Sequence, residues 1–250
     1  MDSAGAPMPL SVPVSERKHY RRNFIQQAVC ELRFPTLYDF DDAKPPLAFA
    51  NALRKEYPAY EISHEVQIAD HIERRVVHLF KAKKQRWSVK LRPSSVSLET
   101  TFYHSFEIFE QRLAALIDAS ALVIDSDFFT RIGLRYINVV PYVREKMADW
   151  VNPSLTADLA KGTFGDVAEY GQQVRGFTPE GGYFFQHGIA VGEAAKRGYS
   201  LDYDFYAEEI DVSRALRTVR SLHDQQGQLF AWSLGPAARQ WLESAEHEDV

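Results

Sequence analysis

Asp202 and Asp204 stand two residues apart in Tyr199-Ser200-Leu201-Asp202-Tyr203-Asp204-Phe205. On a strand that spacing puts both carboxylates on one face, where they could hold a magnesium ion if other oxygen ligands converged on it. His223-Asp224 lies in a helical pattern, and such a dipeptide becomes an acid/base pair only beside a nucleophile, which the sequence does not identify. Asp202, Asp204 and His223 therefore form one candidate metal set, suited to a hydrolase or nuclease, with solvated strand alternation as the plainer account.

His64-Glu65 begins like a zinc-protease helix, but the next histidine is His71, so two imidazoles cannot share a helical turn. Cys30, the single cysteine, shares its strand face with Ala28, Leu32 and Phe34, which turns its thiol into the core and away from nucleophilic chemistry. One cysteine also excludes a disulfide framework or a cysteine-rich zinc site. There is no phosphate-binding loop of the Gly-x-x-x-x-Gly-Lys-Ser/Thr type, no Gly-x-Gly-x-x-Gly after a strand, no Gly-x-Ser-x-Gly elbow and no calcium loop. No cofactor is implied.

Basic residues cluster between 74 and 92, where Arg74, Arg75, Lys81, Lys83, Lys84, Arg86, Lys90 and Arg92 surround Phe80 and Trp87. Basic side chains interleaved with aromatics can follow a nucleic-acid backbone and stack its bases. The competing reading turns Trp87, Val89 and Leu91 toward helices and leaves Ser88, Lys90 and Arg92 on an open face, paired with acidic neighbours. Arg33 and Arg135 stand opposite the buried residues of two equivalent strands. With Lys90, Arg92 and Glu99 they mark the open face as the expected partner-binding surface, and Asp202 and Asp204 are expected to point the same way.

The elements that must position these residues repeat. Ala28–Phe34 alternates as a strand, residues 47–57 read as a helix stopped by Pro58, and strands follow over about 59–69, 74–83, 86–92 and 95–101. A helix then carries Phe102, Phe106, Phe109, Leu113, Leu116 and Ile117 along one stripe. Leu134-Arg135-Tyr136 echoes Leu32-Arg33-Phe34, and the plan recurs with helical segments over 142–161, strands over 166–177, 183–192 and 198–206, and a long helix from Ser213.

This order predicts an α+β protein of two similar units, residues 17–125 and 126–250, forming one compact domain behind a flexible arm at residues 1–16. A curved antiparallel sheet backed by helices, like that of the TATA-binding protein, is the simplest assembly, with Bet v 1-like and SecB-like arrangements as alternatives.

The 250 residues are 45% hydrophobic and 25% charged, enough for a sizeable core, and the formal charge of −5 argues against a general nucleic-acid binder. Residues 1–125 hold 17 basic and 16 acidic side chains and residues 126–250 hold 12 and 18, so the negative excess is C-terminal. The lack of a signal-like start or a long apolar run predicts a cytoplasmic protein that makes no membrane contact.

The segments Ala28–Phe34, Arg131-Ile132-Gly133-Leu134-Arg135-Tyr136-Ile137-Asn138, Leu201–Phe205 and Leu222-His223 resemble a sporadically distributed family of bacterial proteins of about this length. Arg131–Asn138 is the most distinctive piece. The resemblance implies a bacterial protein, hints at mobile-element or defence-associated genes, and carries over no catalytic residue. Together these readings favour a non-catalytic binding or scaffold protein whose partner is another protein, with the metal-dependent enzyme and the nucleic-acid binder as rivals.

Overall fold

A computed structural model describes residues 10–13, 20–68, 72–191 and 197–244. Most of the arm expected over residues 1–16, and His71, lie outside them. The fold is α+β: nine strands are hydrogen-bonded in the order β2-β3-β4-β5-β1-β6-β9-β8-β7, accompanied by six helices among the described residues. By spatial contact the chain divides into two compact units, one of residues 27–135 and 206–221 and the other of residues 1–26, 136–205 and 222–250. Each compact unit takes part of α5 (Ala215–Ser233) and of strands β1, β6 and β9.

The first unit contains β1 (Ile25–Arg33) from Gln27 onward, α1 (Leu47–Leu53), β2 (Ala59–Ile68), β3 (Ile72–Lys81), β4 (Trp87–Arg92), β5 (Ser95–Thr100) and α2 (Phe106–Ser120), with the start of β6 (Phe128–Pro141). Strand alternation decides what is buried. Cys30 on β1 and Val89 on β4 both stand opposite Leu98 on β5, and all three are 0% exposed. Helix α2 packs on this side through Phe109, Leu113 and Leu116, and the Trp87 and Phe109 rings lie 5.8 Å apart.

The α2 stripe is as the spacing predicts, except at its start. Ser105 caps the helix by accepting from the Ile108 N–H, so Phe102 lies before it and is exposed, with the Arg86 guanidinium 4.0 Å above its ring. His78 is fully buried on β3: its Nε2–H donates to the Asp41 carbonyl (2.8 Å), and its Nδ1 accepts from the Tyr60 hydroxyl (2.9 Å). The imidazole thereby fastens the connection between β1 and α1 to the sheet.

The second unit holds the rest of β6, α3 (Met147–Trp150), α4 (Pro153–Ala160), β7 (Gly171–Thr178), β8 (Gly181–Val191), most of β9 (Arg197–Asp211), the rest of α5 (Ala215–Ser233) and α6 (Pro236–Glu243). The helical stretch expected over 142–161 is broken because Asn152 caps α4, accepting from the Ser154 N–H, and Pro153 occupies its first turn. Asn152 also donates to the Trp232 carbonyl at 2.7 Å, and Val151 bridges to Leu234. β7 starts later than the expected residue 166 because Gly162 and Gly165, both at positive φ, hold the chain in turns. Phe24 stacks on Trp241 at 4.4 Å and meets Trp150 edge-on, tying the N-terminal segment to α6.

β8 and β9 carry stacked rings toward α5: Phe185 on Tyr203 at 4.9 Å, Tyr183 on Phe205 at 5.2 Å, and Tyr203 edge-on to Phe230. Beside them His187 is 4% exposed. The Tyr199 hydroxyl donates to the Leu155 carbonyl on α4 (3.2 Å), so its oxygen accepts from His187 Nδ1–H at 2.8 Å. Burial holds the His187 pKa down to about 4 and pushes the Tyr199 hydroxyl up.

Two outcomes follow for stability. Phe109→Ala should cost about 3–5 kcal/mol in denaturant unfolding, because the truncated side chain sits in a row with no solvent access. His187 binds its proton more weakly folded than unfolded, so its contribution is complete above about pH 6.5 and falls away toward pH 4. The loss should reach about 3 kcal/mol at pH 4. His187→Gln should flatten the stability profile between those pH values, and an unchanged profile would show that another group sets the slope.

Candidate functional site

Because strand residues alternate, the positions between the buried ones share the other face of the first unit's sheet. That face carries Glu61 and Glu65 on β2, Lys81 on β3, Lys90 and Arg92 on β4, Ser97 and Glu99 on β5, and Glu31 and Arg33 on β1. Here three of the five expected partner-binding residues, Lys90, Arg92 and Glu99, are joined by contacts. Arg92 forms a two-pronged ion pair with Glu65, Nε at 2.8 Å and Nη2 at 2.6 Å from its two oxygens, in a bridge that spans β3. Arg92 Nη1 also reaches the Ser97 hydroxyl (3.4 Å), which donates to Glu99 (3.1 Å), and Glu99 pairs with Lys90 at 2.9 Å.

Glu65, Arg92, Ser97, Glu99 and Lys90 are thus one hydrogen-bonded chain running across strands. The Arg92 hydrogen bonds hold the Glu65 carboxyl below its usual pKa against the opposing effect of burial. Next to it, Arg33 pairs with Glu31 at 2.6 Å, and Arg131 on β6 lies 3.9 Å from the same carboxylate with its guanidinium 4.6 Å above the Tyr206 ring. Arg135 is exposed and follows Arg131 on the same side of β6, since the two are four residues apart.

The aromatic residues of the basic 74–92 segment do not share this face. Phe80 and Trp87 are 3% and 8% exposed on the helix side, so neither ring is available to stack a base. Of its eight cations, Lys81 pairs with Glu61, Lys90 with Glu99 and Arg92 with Glu65, while Arg86 covers Phe102. Glu61, Glu65, Glu31, Arg131 and Tyr206 were not singled out by the sequence. Glu65 drew notice only through the His64-Glu65 dipeptide, because its pairing with Arg92 depends on side-chain reach across β3.

The candidate metal set is divided by the same alternation. Tyr203 points toward α5, where Gln226 donates to its carbonyl and Phe230 meets its ring, so Asp202 and Asp204 point to the other side of β9. His223 lies on α5 and shares a 3.3 Å hydrogen bond with the Tyr136 hydroxyl. Asp202 is also only 8% exposed, not displayed on an open surface as its alternation suggested. Among the described residues no group of three or more His, Cys, Asp and Glu side chains is placed to hold a metal ion. Cys30 is buried, as its strand face predicts. Among the described residues no helix is long and apolar enough to cross a membrane.

Neither a protein-family model nor a curated protein matches the chain. Among solved structures it is similar to the di-domain ARO/CYC StfQ from the steffimycin biosynthetic pathway, at 11% identity and a TM-score of 0.22 over 87% of this chain and 98% of that one. A likeness of that size carries no functional argument.

Proposed function

We propose that this chain is a non-catalytic binding protein that holds another protein on the charged sheet face of residues 27–135. One observation carries the reading: the hydrogen-bonded chain Glu65-Arg92-Ser97-Glu99-Lys90, flanked by the Arg33–Glu31 pair, fixes charges of both signs on a face whose helices lie on the opposite side. Pairing Arg33, Lys81, Lys90 and Arg92 with Glu31, Glu61, Glu99 and Glu65 lowers the net positive potential that phosphate binding requires. Ordering them in a network leaves a rigid pattern of alternating sign, which selects one docking orientation and rejects like-charged competitors.

Arg33 is the most suitable probe, since its side chain is 53% exposed and an exposed ion pair contributes only about 0–1 kcal/mol to folding. Arg33→Glu alone should shift stability by no more than about 1 kcal/mol, and the binding test uses the protein carrying both Arg33→Glu and Arg135→Glu. The double change should abolish recovery of a stoichiometric protein partner in a tagged pull-down from host extract treated with nuclease. If the doubly reversed protein keeps that partner, the face is wrongly chosen; if nuclease removes it, the ligand is nucleic acid and the reading fails.

A further inference from the structure

The two ends of the strand order differ sharply. β2, at one end, bears Glu61 and Glu65, the kind of charge that keeps an edge strand from pairing with another chain. β7, at the other end, reads Gly-Gln-Gln-Val-Arg-Gly-Phe-Thr, with no acidic residue and no proline, and residues 171–175 are exposed. Val174 is 44% exposed and Phe177 64%.

Among the described residues, the pairing of β7 with β8 shows which backbone groups have no partner within the sheet. Ile189 N–H donates to the Tyr170 carbonyl, and the register runs Gln172 opposite His187, Val174 opposite Phe185 and Gly176 opposite Tyr183. In an antiparallel ladder, hydrogen-bonded pairs alternate with non-bonded ones. Tyr170, Gln172, Val174 and Gly176 therefore turn their N–H and C=O groups toward β8. Gly171, Gln173, Arg175 and Phe177 turn theirs outward, away from the sheet.

We propose that β7 pairs antiparallel with β7 of a second copy of this chain, with the twofold axis passing through Val174. That register sets Gln173 against Arg175 of the second copy, and Gly171 against its Phe177, so every pair that must exchange hydrogen bonds consists of two outward-facing residues. Val174 meets its own counterpart at a non-bonded position, covering an exposed apolar side chain. Shifting the axis to Arg175 would set two guanidinium groups face to face, which like-charge repulsion disfavours. Phe177 over the glycine of the second copy repeats an arrangement already inside the hairpin, where the Tyr183 ring lies across Gly176 so closely that a Cβ there would sit 2.4 Å from it.

The test uses the full chain in sedimentation analysis over a dilution series, where the protein should be a dimer that dissociates on dilution. Arg175→Pro removes an N–H that points away from β8, so the hairpin should fold and the protein should become monomeric. Val174→Glu, which sets two carboxylates face to face, should do the same and decides the matter if the proline variant fails to fold. Val174→Cys should form a disulfide-linked dimer under mild oxidation, because opposed residues at a non-bonded position stand about 4.5 Å apart at Cα, within disulfide reach, while native Cys30 is buried. A wild-type protein that is monomeric throughout, or a dimer that survives Val174→Glu, overturns the proposal.

Discussion

The two-residue period of the strands is the constraint from which the rest follows. In the unit of residues 27–135, Ala28, Cys30, Leu32, Val89, Val96 and Leu98 are all 0% exposed and form adjoining rows beneath α2. Fully burying side chains of the Val and Leu kind contributes about 1.5–3 kcal/mol each, and a register slip of one residue would turn the whole set to solvent. The apolar rows therefore fix the register, and the register fixes everything on the reverse side.

What it fixes there is an electrostatic arrangement that individual residues could not produce. Lys90 reaches Glu99 on the neighbouring strand, while Arg92 reaches past β3 to Glu65. An isolated surface pair contributes little, but linked pairs hold one another in place and share the entropic cost of ordering their long side chains. The buried Val77 and Leu79 of β3 lie on this same face beneath the span of the Arg92–Glu65 bridge, which gives the network an apolar floor.

The α+β class, nearly every strand and the buried position of Cys30 were legible because they depend on local periodicity alone. Helix ends were less legible: Phe102 continues the α2 stripe in spacing but stands ahead of the Ser105 cap, and Pro153 splits a helical pattern that its flanking residues support. The site was legible in part. Arg33, Lys90, Arg92 and Glu99 announce their face by alternation, whereas their partners Glu31 and Glu65 are fixed by side-chain reach and by pairing between distant segments. The Asp202–Asp204 spacing was read correctly as one strand face, but a sequence cannot say that His223 falls across the sheet from it.

The two buried histidines show a physical repeat that the residue letters nearly conceal. His78 lies on the second strand of the hairpin β2–β3 and His187 on the second strand of β7–β8. Each bonds a tyrosine hydroxyl, Tyr60 in one case and Tyr199 in the other. Each also ends on a main-chain carbonyl in the connection that precedes its hairpin: His78 reaches Asp41 directly, and His187 reaches Leu155 through Tyr199. An imidazole can join one polar group to another while presenting an apolar ring to its neighbours. In both hairpins a histidine and a tyrosine thus link the sheet to a preceding connection, with the tyrosine on the same hairpin in one case and on β9 in the other.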